Sequence, residues 1–148
     1  MKWVNSLDAL NSLLLQDIAD SLETIKVSDI EDSMINAIHS VVYNAYAPTQ
    51  YKRRYENGGL GDKRNIVGEP TINGLNEVEL VIRNVAKGSE QTSIEIDQII
   101  VEGVGYTWTE SGIYRRQPFP RDFYAETRLE VEKYLLQRVK EELNKRGW

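Results

Sequence analysis

Residues 6–46, SLDALNSLLLQDIADSLETIKVSDIEDSMINAIHSVVYNAY, predict the helical framework of this chain, because apolar side chains recur there at three-and-four spacing. Ser6 can cap a first helix. Ser28, followed three residues later by Glu31, matches a capping box and predicts the start of a second helix, which ends before Pro48. The two helices can pair as a hairpin, or one can lie across a sheet and leave the other free for a partner.

Beyond this segment the pattern changes from a helical period to a strand period. Residues 77–83 alternate charged side chains with Val, Leu and Ile, as a half-buried strand requires. Residues 64–72 form a weaker strand that is interrupted by a glycine and a proline. Asn73-Gly74 between the two segments is a hairpin turn signal. The sequence therefore predicts an antiparallel hairpin.

The C-terminal part adds shorter elements and a final helix. Residues 93–101, SIEIDQIIV, fit either a short helix or a bent strand. Tyr106 and Trp108, which lie between glycines, indicate a further strand. Asp122 can cap a last helix that Gly147 ends. The predicted fold class is α+β, with N-terminal helices, a small antiparallel sheet, and a long C-terminal helix packed on the sheet.

Bulk properties favour a single domain. The 148 residues are 41% hydrophobic and 28% charged, which is typical of one soluble domain. We expect residues 1–148 to comprise an acidic helical segment (1–46), an irregular basic-aromatic loop (47–62), and the sheet with the C-terminal helix (63–148). The chain has no cysteine, no apolar run that could cross a bilayer and no signal-peptide pattern. We therefore expect assembly inside a cell and no membrane partner.

An irregular segment, residues 43–66 (YNAYAPTQYKRRYENGGLGDKRNI), combines tyrosines with Lys and Arg. Ordering such a loop costs roughly 1 to 2 kcal/mol of backbone entropy per residue, so long irregular loops tend to have a function or to be disordered. The tyrosines can stack on single-stranded nucleic acid, anchor the loop on the core, or act with arginines as interface hot spots. A pI of about 5.0 argues against nucleic acid, and we favour a protein interface. The interface candidates are Tyr51, Arg53, Arg54, Tyr55, Arg64, Arg115 and Arg116.

The sequence offers few groups for catalysis. His39 is the only histidine and is predicted to be structural, and there is no nucleophile elbow or P-loop. Alternating carboxylates can in principle hold magnesium for phosphodiester cleavage, but none is followed by a lysine two residues on, as strand-borne nuclease sites commonly require. These carboxylates are Glu77, Glu79, Glu95, Asp97 and Glu102. We predict no catalytic residue, no metal site and no cofactor.

Several short motifs follow one another in a characteristic order from residue 43 onward. They are Tyr46-Ala47-Pro48, Tyr51-x-Arg53-Arg54, Gly58-Gly59-Leu60-x-Asp62, Asn65-Ile66, Ile99-Ile100-x-x-Gly103, the pair Tyr106 and Trp108, and Pro118-Phe119-Pro120-Arg121-x-Phe123. In this order the chain resembles virion proteins of long-tailed bacteriophages that complete the tail or join head to tail. It departs from the family where Gly58-Gly59-Leu60 replaces the Thr-Gly-x-Leu turn of many members.

This resemblance implies a non-enzymatic assembly protein of the head-tail connector or tail end. Its implied partners are other connector or tail proteins and further copies in a ring, although the isolated protein can be monomeric. The implied location is the virion, after assembly in the host cytoplasm, without sequence-specific nucleic acid binding. We expect the loop and Arg115/Arg116 to form one partner surface, with Arg53, Arg54 and Tyr55 at its centre.

Two alternative functions come from other classes of protein. Residues 1–48 hold seven acidic residues against Lys2 and Lys26, so the N-terminal helices of a phage-encoded inhibitor can cover a basic host surface. A metal-dependent nuclease is the second alternative and would depend on Glu79 or Asp97.

Overall fold

The computed structural model of the chain describes residues 4–45, 52–88, 94–103 and 120–148. Its elements in chain order are α1 (Leu7–Ile25), α2 (Glu31–Ala37), β1 (Ile66–Val67), β2 (Pro70–Asn73), β3 (Glu77–Leu80), β4 (Arg83–Asn84), α3 (Asp97–Glu102) and α4 (Phe123–Lys145). The predicted α+β fold class is confirmed. The strand predicted around Tyr106 and Trp108 lies outside the described residues.

The first two helices are parts of one helix, not a helical hairpin. A π-helical turn, Lys26–Ile30, joins α1 to α2, and its flanking residues keep right-handed helical backbone angles. A second π turn, Ile38–Val42, and a 3-10 turn, Tyr43–Ala45, continue the helix. We call the whole of residues 7–45 the long helix. Ser6 caps it as predicted, since the Ser6 Oγ accepts a hydrogen bond from the Ala9 N–H at 3.1 Å.

The predicted capping box at Ser28 is therefore wrong. The Ser28 hydroxyl hydrogen-bonds to Asp29 Oδ2, and no helix begins there. Ile25 and Ile30 are both buried although they are five residues apart, a spacing that a π turn brings to one face. Extending an existing helix adds one hydrogen bond per residue, whereas starting a new helix requires an unfavourable first turn. An uninterrupted apolar stripe therefore outweighs a local cap signal.

The C-terminal helix α4 lies antiparallel to the long helix. Asp122 caps it as predicted, because Asp122 Oδ1 accepts a hydrogen bond from the Ala125 N–H at 2.9 Å. Three side-chain contacts tie the two helices in opposite residue order: Tyr134 with Ser33 (2.8 Å), Arg138 with Asp29 (2.9 Å) and the indole of Trp148 with Asp17 (2.7 Å).

The prediction placed this helix on the sheet, whereas its principal partner is the long helix. The helix α4 contacts the strands at its first turn, where the Tyr124 hydroxyl accepts a hydrogen bond from the Asn84 N–H at 2.7 Å. The reason is that the sheet is only two strands wide. The long helix offers the larger apolar surface.

The predicted antiparallel hairpin is confirmed. β2 pairs with β3, with Asn73 opposite Glu77, and β1 pairs with β4, with Ile66 opposite Asn84. Both pairs follow the same register, so the four short strands form a single interrupted hairpin. Its turn contains Gly74 at φ +62°, a conformation that glycine adopts without strain.

The hairpin bends at Gly68 and packs along α1. A Cβ atom on Gly68 would lie 2.1 Å from the carbonyl oxygen of Val81, so only glycine allows the two strands to approach this closely. The Lys26 ammonium donates to the Gly68 carbonyl at 2.7 Å, and the Asn11 amide donates to the Leu75 carbonyl at 2.6 Å. These two contacts direct the hairpin turn towards the start of the long helix.

The hydrophobic core lies around the C-terminal half of the long helix. The short helix α3, one of the two structures predicted for its segment, ends at Gly103 (φ +71°) and contributes Ile100 to this core. The buried core residues are Met34, Ala37, Ile38, Val42, Tyr43, Leu60, Ile66, Ala86, Ile100 and Phe123. Among the described residues, no helix is both long and apolar enough to cross a membrane.

A proline substitution tests whether the long helix is continuous. Asp29→Pro should lower the free energy of unfolding by about 3 kcal/mol or more, because proline inside a helix removes a hydrogen bond and clashes with the preceding turn. If Ser28 capped a second helix, proline at position 29 would be at a favoured first position and would cost little. Asp29→Ala is the control, since losing the contact with Arg138 should cost about 1 kcal/mol or less. Urea unfolding of the three proteins measures the difference.

Candidate functional site

Four of the seven predicted interface residues lie among the described residues. They are Arg53, Arg54, Tyr55 and Arg64. Tyr51, Arg115 and Arg116 lie outside the described residues, so the predicted surface formed by the loop with Arg115 and Arg116 stays a prediction. We use the name basic loop for residues 52–64.

An aromatic cluster holds the basic loop on the long helix. The ring of Tyr43 meets those of His39 and Tyr55 edge-on, with centroids 4.9 and 4.8 Å apart. His39 and Tyr55 are nearly parallel, with their centroids 6.3 Å apart. Tyr55 has φ +49°, which is unusual for a residue with a side chain. His39 therefore contributes packing to the loop, in keeping with the structural role predicted for it.

Two of the predicted hot-spot arginines help to fix the loop. Arg53 donates from Nη1 to the Tyr43 carbonyl at 2.7 Å, and its guanidinium carbon lies 5.1 Å from the centre of the Tyr43 ring. Arg54 donates from Nη2 to the carbonyl of Lys87, beyond the hairpin. Charged donors make stronger hydrogen bonds than neutral ones. Both side chains thus act within the chain, and their predicted role at an interface stays a prediction.

Asp62 organises the glycine turn that follows. Its buried carboxylate accepts hydrogen bonds from the Gly58 N–H at 2.7 Å, the Arg64 N–H at 2.9 Å and Arg64 Nη2 at 2.6 Å. The Arg64 guanidinium and these backbone N–H groups hold the pKa of Asp62 well below its usual range. A single carboxylate therefore closes the turn and positions Arg64.

Buried polar side chains satisfy the rest of the turn. The Tyr43 hydroxyl accepts from the Gly61 N–H at 3.0 Å, and burial raises the pKa of Tyr43. The Asn84 amide, which is fully buried, donates to the Leu60 carbonyl at 2.7 Å and accepts from the Ala86 N–H at 3.0 Å. Asn84 is not among the residues predicted from the sequence. In the sequence, Asn84 is marked only by being a polar residue at a position of the hairpin that faces inward.

The outer surface of the basic loop is cationic. Lys52 is exposed, and the side chains of Lys63 and Arg64 are 50% and 81% exposed. Lys63 reaches Asp32 of the long helix at 2.6 Å. Residues 52–64 carry five Lys or Arg against two acids, so a partner approaching this side meets positive charge.

Most acidic side chains of the long helix contact basic or polar side chains of the same chain. Arg138 lowers the pKa of Asp29 through a direct hydrogen bond. The acid contacts are Asp17 with Trp148 (2.7 Å), Asp20 with Arg146 (3.7 Å), Glu23 with Lys26 (3.0 Å), Asp29 with Arg138 (2.9 Å) and Asp32 with Lys63 (2.6 Å). This pairing reduces the negative surface on which the inhibitor hypothesis depends.

A shallow cleft of about 410 Å³ lies between β4, α3 and the first turn of α4. The Tyr124 hydroxyl donates to Asp97 Oδ2 at 2.7 Å, and Arg83 forms an ion pair with Glu95. Within the described ranges, no group of three or more His, Asp or Glu side chains is placed to hold a metal ion. Glu95 and Asp97, two of the carboxylates considered for a nuclease, thus contact protein groups in this cleft.

Comparison with known proteins gives a family match. The model of the family described as YomN matches residues 6–145, which cover the long helix, the hairpin, the basic loop and all of α4. No curated protein sequence and no solved structure matches the chain.

Substitution of Asp62 tests whether this carboxylate holds the loop. At pH 7, Asp62→Ala should lower the free energy of unfolding by about 1 to 3 kcal/mol, because buried N–H groups lose their acceptor, and Asp62→Asn should cost less. The lowered pKa means that the stabilisation is complete above about pH 4 and is lost as the pH falls through the folded-state pKa. The difference between wild type and Asp62→Asn should therefore shrink between pH 7 and pH 3 in urea unfolding.

The exposed residue Asp8 provides the matched control. Asp8→Asn should change stability by about 0.5 kcal/mol or less. A pH-independent difference between wild type and Asp62→Asn would contradict the assigned role of the Asp62 charge.

Proposed function

We propose, from the premise that this chain belongs to the YomN family of Bacillus phage-derived proteins, that it is a non-enzymatic virion morphogenesis protein. Family membership makes the protein phage-associated. The proposed position is the head-tail connector or the tail end, where the protein completes the tail or joins head to tail. Its proposed partners are other connector or tail proteins and further copies of itself.

The observation that carries this proposal is the preorganised basic loop. Tyr43, Asp62 and Asn84 hold the loop backbone through hydrogen bonds before any partner is bound. A loop that is already ordered loses little further entropy on association, which increases affinity. Lys52 is exposed on this loop, and Lys63 and Arg64 keep much of their side chains in solvent while each contacts an acid, Asp32 and Asp62 respectively. A fixed, charged, aromatic-backed surface is suited to recognising a protein partner.

The electrostatic pattern also fits assembly better than catalysis. Charged surfaces that complement one another increase association rates and select the correct partner. Asp97 bonds to Tyr124, Glu95 pairs with Arg83 and His39 packs against tyrosine rings, so these groups are engaged in contacts within the chain. We place the assembled protein in the virion, with assembly in the host cytoplasm.

Removal of the gene from the phage that encodes the chain tests this function. Induced lysates should then contain separate heads and tails or incomplete tails, visible by electron microscopy, and complementation with the wild-type gene should restore joined particles. Mass spectrometry of purified wild-type virions should detect the protein. Normal particles and normal infectivity without the gene would overturn the proposal.

A further inference from the structure

The hairpin carries a charge opposite to that of the basic loop. Residues 66–82 contain the carboxylates of Glu69, Glu77 and Glu79 and no Lys or Arg. All three are exposed, and Glu77 and Glu79 alternate with the half-buried Val78 and Leu80 of β3, so these two carboxylates share the outer face of the hairpin. We call residues 69–79 the acidic hairpin.

The turn of the acidic hairpin also presents apolar side chains. Leu75 in the turn is 82% exposed, and Leu7 in the first turn of α1 is 84% exposed. The Asn11 amide donates a hydrogen bond to the Leu75 carbonyl, so Leu75 lies at the same end of the molecule as Leu7. These two side chains add apolar contact area at the tip of a charged hairpin, which matches the mixture of apolar and polar groups in protein interfaces.

The acidic and basic surfaces lie on opposite parts of the long helix. The contact of Leu75 with Asn11 places the hairpin turn near the helix start, whereas Lys63 contacts Asp32 and Arg53 contacts Tyr43. At about 1.5 Å per residue, Asn11 and Asp32 are roughly 30 Å apart along the helix. The tip of the hairpin therefore cannot meet the basic loop of its own chain.

We infer that the acidic hairpin of one copy docks on the basic loop of a second copy. In this contact Glu77 and Glu79 face Lys52 and Lys63, and Leu75 packs on the partly exposed Tyr55 ring. The contact is head-to-tail, so it leaves one free surface at each end and can close into a ring. This inference rests on the proposed function and specifies how copies associate.

Two charge-reversal variants and their mixture test the contact. The hairpin variant is Glu77→Lys/Glu79→Lys, and the loop variant is Lys52→Glu/Lys63→Glu. These positions are exposed and lie outside the buried hydrogen bonds that fix the loop; Lys63→Glu also removes the ion pair of Lys63 with Asp32, so the fold of this variant is checked by circular dichroism. Light scattering after size exclusion measures the mass of each full-length protein over a range of concentrations, at low and high salt.

We expect wild type to associate in a concentration-dependent, salt-sensitive manner. Each variant alone should associate at least about tenfold more weakly and elute near 17.0 kDa. An equal mixture should associate like wild type, with the two proteins alternating, because the intact hairpin meets the intact loop and the reversed hairpin meets the reversed loop. The protein with all four substitutions should associate like wild type, since both charges are exchanged.

Matched variants separate this contact from a general charge effect. Glu130→Lys/Glu132→Lys makes the same charge change on α4 and should leave association unchanged. Leu75→Ser should weaken association without changing the charge, and it provides a second test if a reversed variant fails to fold by circular dichroism.

Several results would overturn the inference: a strictly monomeric wild type, association of both variants like wild type, or a mixture that stays monomeric. Failure of the inferred contact can be distinguished from failure of the proposed function. A monomeric protein that is nevertheless present in virions and required for joining overturns only the head-to-tail contact. Association through these surfaces by a protein absent from virions overturns only the proposed function.

Discussion

The uninterrupted long helix is the constraint on which the rest of this structure depends. Each other main element is attached to it by a specific polar contact: the hairpin turn through Asn11, the hairpin bend through Lys26, and the C-terminal helix through Asp17, Ser33 and Asp29. The π turn at Lys26–Ile30 maintains this arrangement, because one extra residue in the turn keeps Ile25 and Ile30 on the buried face. A break at Ser28 would uncouple the hairpin-binding half of the helix from the half that holds the core.

Buried polar groups, rather than apolar contacts alone, determine the path of the basic loop. Asn84 is fully buried and joins the loop carbonyl of Leu60 to the strand end at Ala86, while its own N–H bonds to Tyr124 of α4. An unpaired buried polar group is costly, so such a network favours one backbone arrangement over its neighbours. The loop, the strand end and the C-terminal helix are thus coupled. Folding of these three parts therefore also forms the surface that is proposed to bind a partner.

The arginines of the loop divide into two groups with different physical roles. Arg53 and Arg54 donate to backbone carbonyls and stabilise the loop from inside, whereas Arg64 is held by Asp62 with most of its side chain in solvent. From sequence, all three match the same expectation of an Arg-rich interface. The location of nearby carbonyl acceptors decides between these roles, and that location is set by residues distant in the chain. Reversing the charge of Arg53 or Arg54 would therefore disturb the loop itself. Charge reversal at Lys52 and Lys63 tests more directly whether the loop binds a partner.

Local sequence by itself determined the elements whose signals need no distant partner. The caps Ser6 and Asp122, the alternation that forms β3 and the Asn73-Gly74 turn were all predicted, because capping, pleating and turn chemistry act within a few residues. The α+β class followed from the same periodicities. Only the tertiary structure decided that the N-terminal segment is one helix, that α4 packs on it, and that Asn84 and Asp62 fix the basic loop. These features depend on contacts between residues far apart in the chain, where burial outweighs local preference.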